Sequence, residues 1–193
     1  MHKERTVSEG GAPDSSSTSV IVRKAMHWEA PAINRLIRDS MRTYSSLAGI
    51  REDHLESLRE GVQEIIDAML DSVVLVAEDE RSTIVGTVRL CFRSADRYPE
   101  AQLFEKNENI RNRAVMYLTR FAVLQSDRGR GIGSRLISEA ERIARSEGVP
   151  YILLHTALSN EAVAGFYQRR GFLIDSVDLS REYPRALFYK QLF

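Results

Sequence analysis

From Ser19 onward, short β-branched runs alternate with stretches whose apolar residues recur at helical spacing. Val20, Ile21 and Val22 form the first run and predict a strand. Pro31 stands where a first helical turn tolerates proline, and Ile33, Leu36, Ile37 and Met41 follow at helical spacing, so a helix is expected there. A second helix is expected over about Glu52 to Leu70, carrying Leu55, Leu58, Val62, Ile65, Ile66 and Met69 on one side. Val73 to Ala77 and Ile84 to Phe92 predict two strands joined by a polar turn at Asp79 to Ser82, a hairpin. Arg93 to Arg113 reads as a charged, irregular insertion.

Strand character returns over Val115 to Leu124. Gly131 to Ser146 predicts a helix with Ile132, Leu136, Ile137, Ala140, Ile143 and Ala144 facing inward. Tyr151 to Thr156 predicts a strand, and Asn160 to Arg170 a helix with Gly171 at its C-terminal cap. Two closing strands fit near Phe172 to Asp178 and Arg185 to Leu192. No internal repeat interrupts this order, which describes one mixed α/β layer fold over residues 19–193. Residues 1–18 do not join it. Gly10, Gly11, Pro13 and the run Asp14 to Thr18 cannot bury a core, so a mobile tail is expected. No apolar stretch follows the charged start as a signal peptide requires, so export is not expected.

Composition removes several function classes. With 43% hydrophobic and 28% charged residues, the chain is neither disordered nor fibrous in composition. Runs such as Ser72 to Ala77 fall far short of the roughly 18 to 20 apolar residues a bilayer demands, so no membrane partner is expected. Lys+Arg and Asp+Glu both number 27, which provides no overall pull toward nucleic acid. The single Cys91 excludes an internal disulfide, and four scattered histidines show no ligand spacing, so no metal and a reducing, cytoplasmic setting are expected.

Charge is uneven along the chain. Arg51 to Ser82 holds 10 acidic residues against 3 basic, a net of −7; Arg111 to Arg145 holds 8 arginines against 3 acids, a net of +5. An anion site belongs in the second segment, unless both are simply solvated faces. That segment contains Arg128, Gly129, Arg130, Gly131, Ile132 and Gly133, placed after a strand and opening a helix. Glycines let backbone N–H groups approach a bound group, and a helix start adds its positive dipole end, so a diphosphate fits there; a tight turn alone would also use these glycines. A P-loop is excluded because no Gly-Lys-Ser/Thr follows, and a dinucleotide fingerprint because its third glycine would fall on Ser134.

Here the sequence resembles the Gcn5-related N-acetyltransferase (GNAT) family. The family's acyl-CoA motif, Gln/Arg-x-x-Gly-x-Gly/Ala, is matched by Arg128, Gly131 and Gly133, and Leu118 to Val123 looks like its fourth strand. A second block, Asn160-Glu161-Ala162 followed by Phe166-Tyr167 and Gly171-Phe172, is similar to the family's Asn-x-x-Ala, Tyr and Gly-Phe. The resemblance covers about Ser19 to Phe193 and implies the GNAT acyl-CoA N-acyltransferase fold, a central twisted mixed sheet of about seven strands flanked by about four helices.

It also implies roles. Acetyl-CoA would be the cosubstrate and an amine the acceptor, attacking the thioester directly. The diphosphate would lie on the N–H groups of about Arg130 to Ser134, and the pantetheine arm along the backbone near Phe121 and Val123. The fourth and fifth strands would splay, leaving an N–H near Phe121 or Ala122 to polarise the thioester carbonyl. Asn160 would touch the pantetheine arm, though it also suits an ordinary N-cap. Tyr167 would protonate the leaving thiolate, beside Phe166; both are otherwise core aromatics.

The general base is open. Some relatives carry a Glu six residues before the position of Val123, and Tyr117 stands there. A tyrosine with a pKa near 10 is a poor base unless perturbed, which leaves ordered water, Thr119, backbone carbonyls or His155 on the fifth strand. His27 and His54 show no constellation. In this fold the segments Thr43 to Arg51 and Ser180 to Arg185 shape the acceptor pocket, which makes Tyr44, Tyr183 and Arg185 its expected walls. The acidic stretch would draw a cationic amine or is only a solvated face, and the insertion either folds over the site or packs in a homodimer. Two other classes stay open: an acyl-CoA sensor of the same fold without turnover, and a nucleotide or nucleic-acid module using the arginines, which the neutral total disfavours.

Overall fold

In the computed structural model, residues 19–99, 101–105 and 114–193 are described. The expected tail lies outside them, as does much of the insertion. Strand β1 (Val20–Lys24) leads into helix α1 (Ala30–Ala48), then α2 (Val62–Ala68) and strands β2 (Val73–Asp79) and β3 (Ile84–Ser94). A short helix α3 (Gln102–Glu105), β4 (Ala114–Val123), α4 (Ile132–Ser146), β5 (Tyr151–Ala157), α5 (Glu161–Gln168), β6 (Leu173–Asp178) and β7 (Arg185–Gln191) follow. The seven strands form one sheet in the order β1-β2-β3-β4-β5-β7-β6. Neighbours are antiparallel except β4 and β5, which run parallel.

Both sheet faces are covered. On one, Leu136, Ile137 and Ala140 of α4 pack on Leu75, Val88, Met116 and Ile152. On the other, Ile33 and Ile37 of α1 and Ile65 of α2 pack on Val74 and Val76. Ile33, Ile37 and Ile65 are each at most 1% exposed, and burying such a side chain contributes about 1.5–3 kcal/mol. Pro31 lies in the first turn of α1, and Gly49 ends that helix at φ +65°, a left-handed conformation that glycine adopts without strain. Among the described residues no helix is long and apolar enough to cross a membrane.

Two local readings need correction. The expected helix over 52–70 is instead two 3-10 turns, Glu52–His54 and Glu56–Leu58, followed by α2. Leu55 between the turns is extended (φ −96°, ψ 100°) because Leu55 and Leu58 bury into a separate cluster with Ala48 and Ile50. Gly61, also extended, then starts α2, its N–H donating to the Glu64 carboxylate at 3.2 Å. The insertion is also more regular than expected. Arg93 and Ser94 prolong β3, Ala95–Arg97 make a 3-10 turn, and the Asp175 carboxylate accepts from the Gln102 and Leu103 N–H groups that open α3.

The site is prepared by two irregularities in the sheet. Strands β4 and β5 pair only at Met116 with Ile152 and Tyr117 with Leu153. Beyond Tyr117 they part. In the same stretch β4 bulges: Thr87 faces Ala122 while Arg89 faces Thr119, so Val88 opposes both Arg120 and Phe121. Arg120 takes φ +54°, a left-handed conformation costly for a side-chain-bearing residue. A buried ion network holds it there: Arg120 Nε lies 2.9 Å and Arg89 Nη1 2.7 Å from the two oxygens of Glu60, whose side chain is 8% exposed. Burial opposes ionisation of Glu60, but the hydrogen bond from Arg89 and the charge of Arg120 together hold its carboxyl below the usual range.

Candidate active-site cleft between strands β4 and β5

The gap between β4 and β5 opens into a cleft of about 1000 Å³ that runs from the start of α4 to the β6–β7 loop. Its near end is the glycine turn. Gly129 and Gly131 have φ +82° and +78°, and no atom lies within 4 Å of the place a Cβ would occupy at either. The N–H groups of Ile132, Gly133 and Ser134 open α4, where no intrahelical acceptor exists for them. Backbone donors, a helix start and open space above them together fit a diphosphate.

Gly133 does something different. A Cβ there would lie 3.0 Å from Phe166 Cζ and 3.1 Å from Phe121 Cζ, so this glycine lets the aromatic pair pack beneath the helix start. Phe121 and Phe166 stand 5.5 Å apart between ring centroids. Tyr167 joins the same group, 6.0 Å from Phe121 and 5.6 Å from Phe172, and is 5% exposed. Its hydroxyl makes no hydrogen bond among the described residues, and burial pushes its ionisation far above the ordinary tyrosine range. At neutral pH it is a proton donor only.

Arg128, Gly129, Gly131, Ile132, Gly133, Ser134, Asn160, Phe166 and Tyr167 all line the cleft. So do Phe121, Ala122 and Val123 of β4. Arg130 does not: it turns away to pair with Asp127. Asn160 Oδ1 accepts from the Val163 N–H at 3.2 Å, so it caps α5 while facing the cleft.

The far end holds the other candidates. The Tyr117 hydroxyl lies 3.0 Å from His155 Nδ1. Burial, and then the nearby Arg185 guanidinium, lowers the His155 pKa to about 4, and burial raises that of Tyr117. Both are neutral near pH 7, so neither is an effective base there. Tyr44, Tyr183 and Arg185 line this end, and the Tyr44 hydroxyl accepts from the Ala157 N–H at 2.7 Å. Thr119 lines it too, accepting from Arg120 at 3.1 Å. His54 is drawn to Glu182 at the rim, and His27 lies outside the cleft.

A family profile described as the acetyltransferase (GNAT) family matches residues 34–172, well over half of the chain. The chain belongs to the GNAT family. GCN5-related N-acetyltransferase 6, chloroplastic, from Arabidopsis thaliana is 22% identical over 171 residues, which make up 81% of this chain and 57% of that protein. N-alpha-acetyltransferase 30 from Schizosaccharomyces pombe is 34% identical over 56 residues, 29% of this chain and 37% of that protein. The matched part thus spans about half or less of each relative's own length. The crystal structure of PaiA N-acetyltransferase from Thermoplasma acidophilum in complex with coenzyme A aligns over 90% of this chain and 99% of that one. Its TM-score is 0.71, with 21% identity. The seven-stranded mixed sheet is therefore the GNAT fold.

Arg170 and Tyr98 are among the cleft residues that the sequence did not single out. Arg170 lays its guanidinium 3.7 Å from the Phe166 ring centroid and bonds the Ser134 hydroxyl, bringing a fixed positive charge to the start of α4. Tyr98 stacks on Tyr117 with centroids 5.4 Å apart, so the described part of the insertion lies against the far end of the cleft. The only sequence signal for Arg170 was its place four residues after Phe166; Tyr98 had none, because its partner is 19 positions away on another element.

Proposed function

We propose that the protein transfers an acetyl group from acetyl-CoA to a primary amine, with both substrates in the cleft at once. One observation carries this: a single open cleft joins the glycine turn to a polar far end, past a bulged strand edge that has lost its β5 partner. The diphosphate is held by the N–H groups of Ile132 to Ser134, with Arg128 and Arg170 beside it. The pantetheine arm follows the unpaired edge of β4 from Phe121 to Val123 and passes Asn160. An N–H near Phe121 or Ala122 polarises the thioester carbonyl.

The neutral amine then attacks the carbonyl carbon; a C–N bond forms, the C–S bond breaks, and Tyr167 gives its proton to the departing sulfur. The amine's own proton leaves through solvent, since His155 and Tyr117 are poorly matched to that task, and solvent returns a proton to Tyr167. Cys91, buried and unpaired with another cysteine, supports a reducing setting such as the cytoplasm.

One observation favours a second reading, a sensor that binds acyl-CoA without turnover. The carboxylates that line the cleft among the described residues, Glu56 and Asp127, are both paired with arginine. Thiol release from acetyl-CoA, followed across a panel of amines, separates the two. Acetylated amine formed with stoichiometric CoA supports transfer; tight acetyl-CoA binding with no thiol release from any amine supports the sensor.

A further inference from the structure

The far half of the cleft is built around arginine. Along β3, Arg89, Cys91 and Arg93 alternate onto one face, and register sets Arg89 opposite Thr119 and Cys91 opposite Tyr117. Arg185 of β7 faces Ala157 across the sheet, and Arg97, Arg120 and Arg181 complete the lining. Compensation is incomplete. Glu60 serves both Arg89 and Arg120, Asp178 takes Arg185 at 2.7 Å, and Glu56 takes Arg181 at 2.9 Å. Arg93 and Arg97 form no ion pair among the described residues. Six arginines against three carboxylates leave a net of +3.

Residues 100–113 are neutral in sum, with Glu100, Glu105 and Glu108 against Lys106, Arg111 and Arg113. Of the acidic stretch, Glu56 and Glu60 are the carboxylates already counted, and Asp71 acts on Cys91 at the cleft wall. Asp53 is held by Arg51, Asp67 by Gln63, Glu78 by Arg23, and Asp79 binds its own turn. Arg93, half-buried, and Arg97 both act on Tyr98, which stacks on Tyr117 over the floor of the pocket. A guanidinium with no carboxylate partner among the described residues, beside aromatic rings and partly shielded from water, suits a carboxylate and repels a second ammonium.

We propose, resting on the acetyl-transfer reading above, that the acceptor amine carries a carboxylate that docks on Arg93, so that the substrate is an amino acid or an acidic amino terminus rather than a polyamine. Two sources of that carboxylate are separable. Four L-amino acids (alanine, methionine, phenylalanine, glutamate) are compared with their carboxamides, an amidated peptide bearing aspartates at its second and third positions with its asparagine counterpart, and both sets with spermidine.

The full chain with acetyl-CoA is assayed by thiol release. The carboxylated member of one pair set is expected to exceed its neutral partner in kcat/KM by about tenfold or more, and spermidine likewise, the ratio a charge-assisted hydrogen bond carries. Arg93→Gln should collapse that ratio by raising KM for the carboxylated member alone, with the exposed Arg97→Gln as a second probe should Arg93→Gln fold poorly. Neutral amines or spermidine used as well as carboxylated ones, or a ratio that survives in both folded variants, would overturn the proposal. If no amine releases thiol, it is the transfer reading that fails, and calorimetry on the CoA-loaded protein with the same ligands still decides. Carboxylate binding that weakens in Arg93→Gln upholds the anion site, and no carboxylate binding overturns it.

Discussion

The Tyr117 hydroxyl and His155 Nδ1 meet at 3.0 Å where β4 and β5 pair for the last time before they part. The contact ties the two strands together at the far end of the cleft. The burial of His155, with Arg185 nearby, sets a sign for pH. His155 titrates near 4 when folded, against about 6.5 in an unfolded chain, so the unfolded state binds the extra proton between these values. Its contribution is whole above about pH 6.5 and is lost as pH falls toward 4, up to about 3 kcal/mol. Urea titrations should show His155→Asn losing less stability than the unmodified protein over that interval. Parallel curves would mean that His155 is not held neutral by the fold.

Removing the charge of Glu60 leaves Arg89 and Arg120 buried against one another. Glu60→Gln should therefore cost about 3 kcal/mol or more, read as a fall in the denaturant midpoint at neutral pH. Because the folded carboxyl titrates below its ordinary value, its contribution is present above the unfolded pKa and fades as pH falls through the folded one. The gap between the two proteins should narrow in acid. A variant as stable as the parent at pH 7 would show that the bulge does not depend on this network.

The two glycines of the turn should fail differently. Gly131→Val meets no neighbour, but puts a β-branched residue at φ +78° and a side chain where the diphosphate would rest. It should cost about 1–3 kcal/mol in stability and weaken CoA binding about tenfold or more, measured by calorimetry on protein shown to be folded. Gly133→Ala should instead push Phe121 and Phe166 apart, with a stability loss of about 1–3 kcal/mol. Unaltered CoA affinity in Gly131→Val would remove the turn from the site.

Acetyl-CoA at a hundredfold excess over Kd should add about 2.7 kcal/mol to apparent stability. The melting temperature should rise with acetyl-CoA and much less with ATP or NAD, since neither offers a pantetheine arm for the unpaired edge of β4. Equal shifts from all three would point to a general nucleotide site.

Tyr167→Phe keeps the ring among Phe121, Phe166 and Phe172 and breaks no hydrogen bond among the described residues. Folding and acetyl-CoA affinity should hold, while kcat falls about 10- to 1000-fold. The defect should be largest at low pH, where the departing sulfur most needs a proton. Unchanged kcat with chemistry rate-limiting would return Tyr167 to a packing role.

Local chemistry was enough to order this chain. Periodicity placed seven strands and the helices α1, α4 and α5, since alternation and helical spacing are properties of adjacent residues. The turn at Gly129 to Gly133 was legible for the same reason: strand, glycines and helix start are contiguous. What lay beyond the sequence depends on partners far apart in it. Leu55 and Leu58 carry a helical pattern, yet sinking them against Ala48 and Ile50 breaks the helix. Nothing local marks Arg120 for a left-handed bulge, because Glu60, 60 positions away, is what holds it. The acidic run looks like a lure for cations until folding pairs Glu56, Glu60 and Glu78 with arginines from other elements. The cleft's net charge is such a balance: sequence supplies the arginines, and only tertiary structure decides which ones the carboxylates reach.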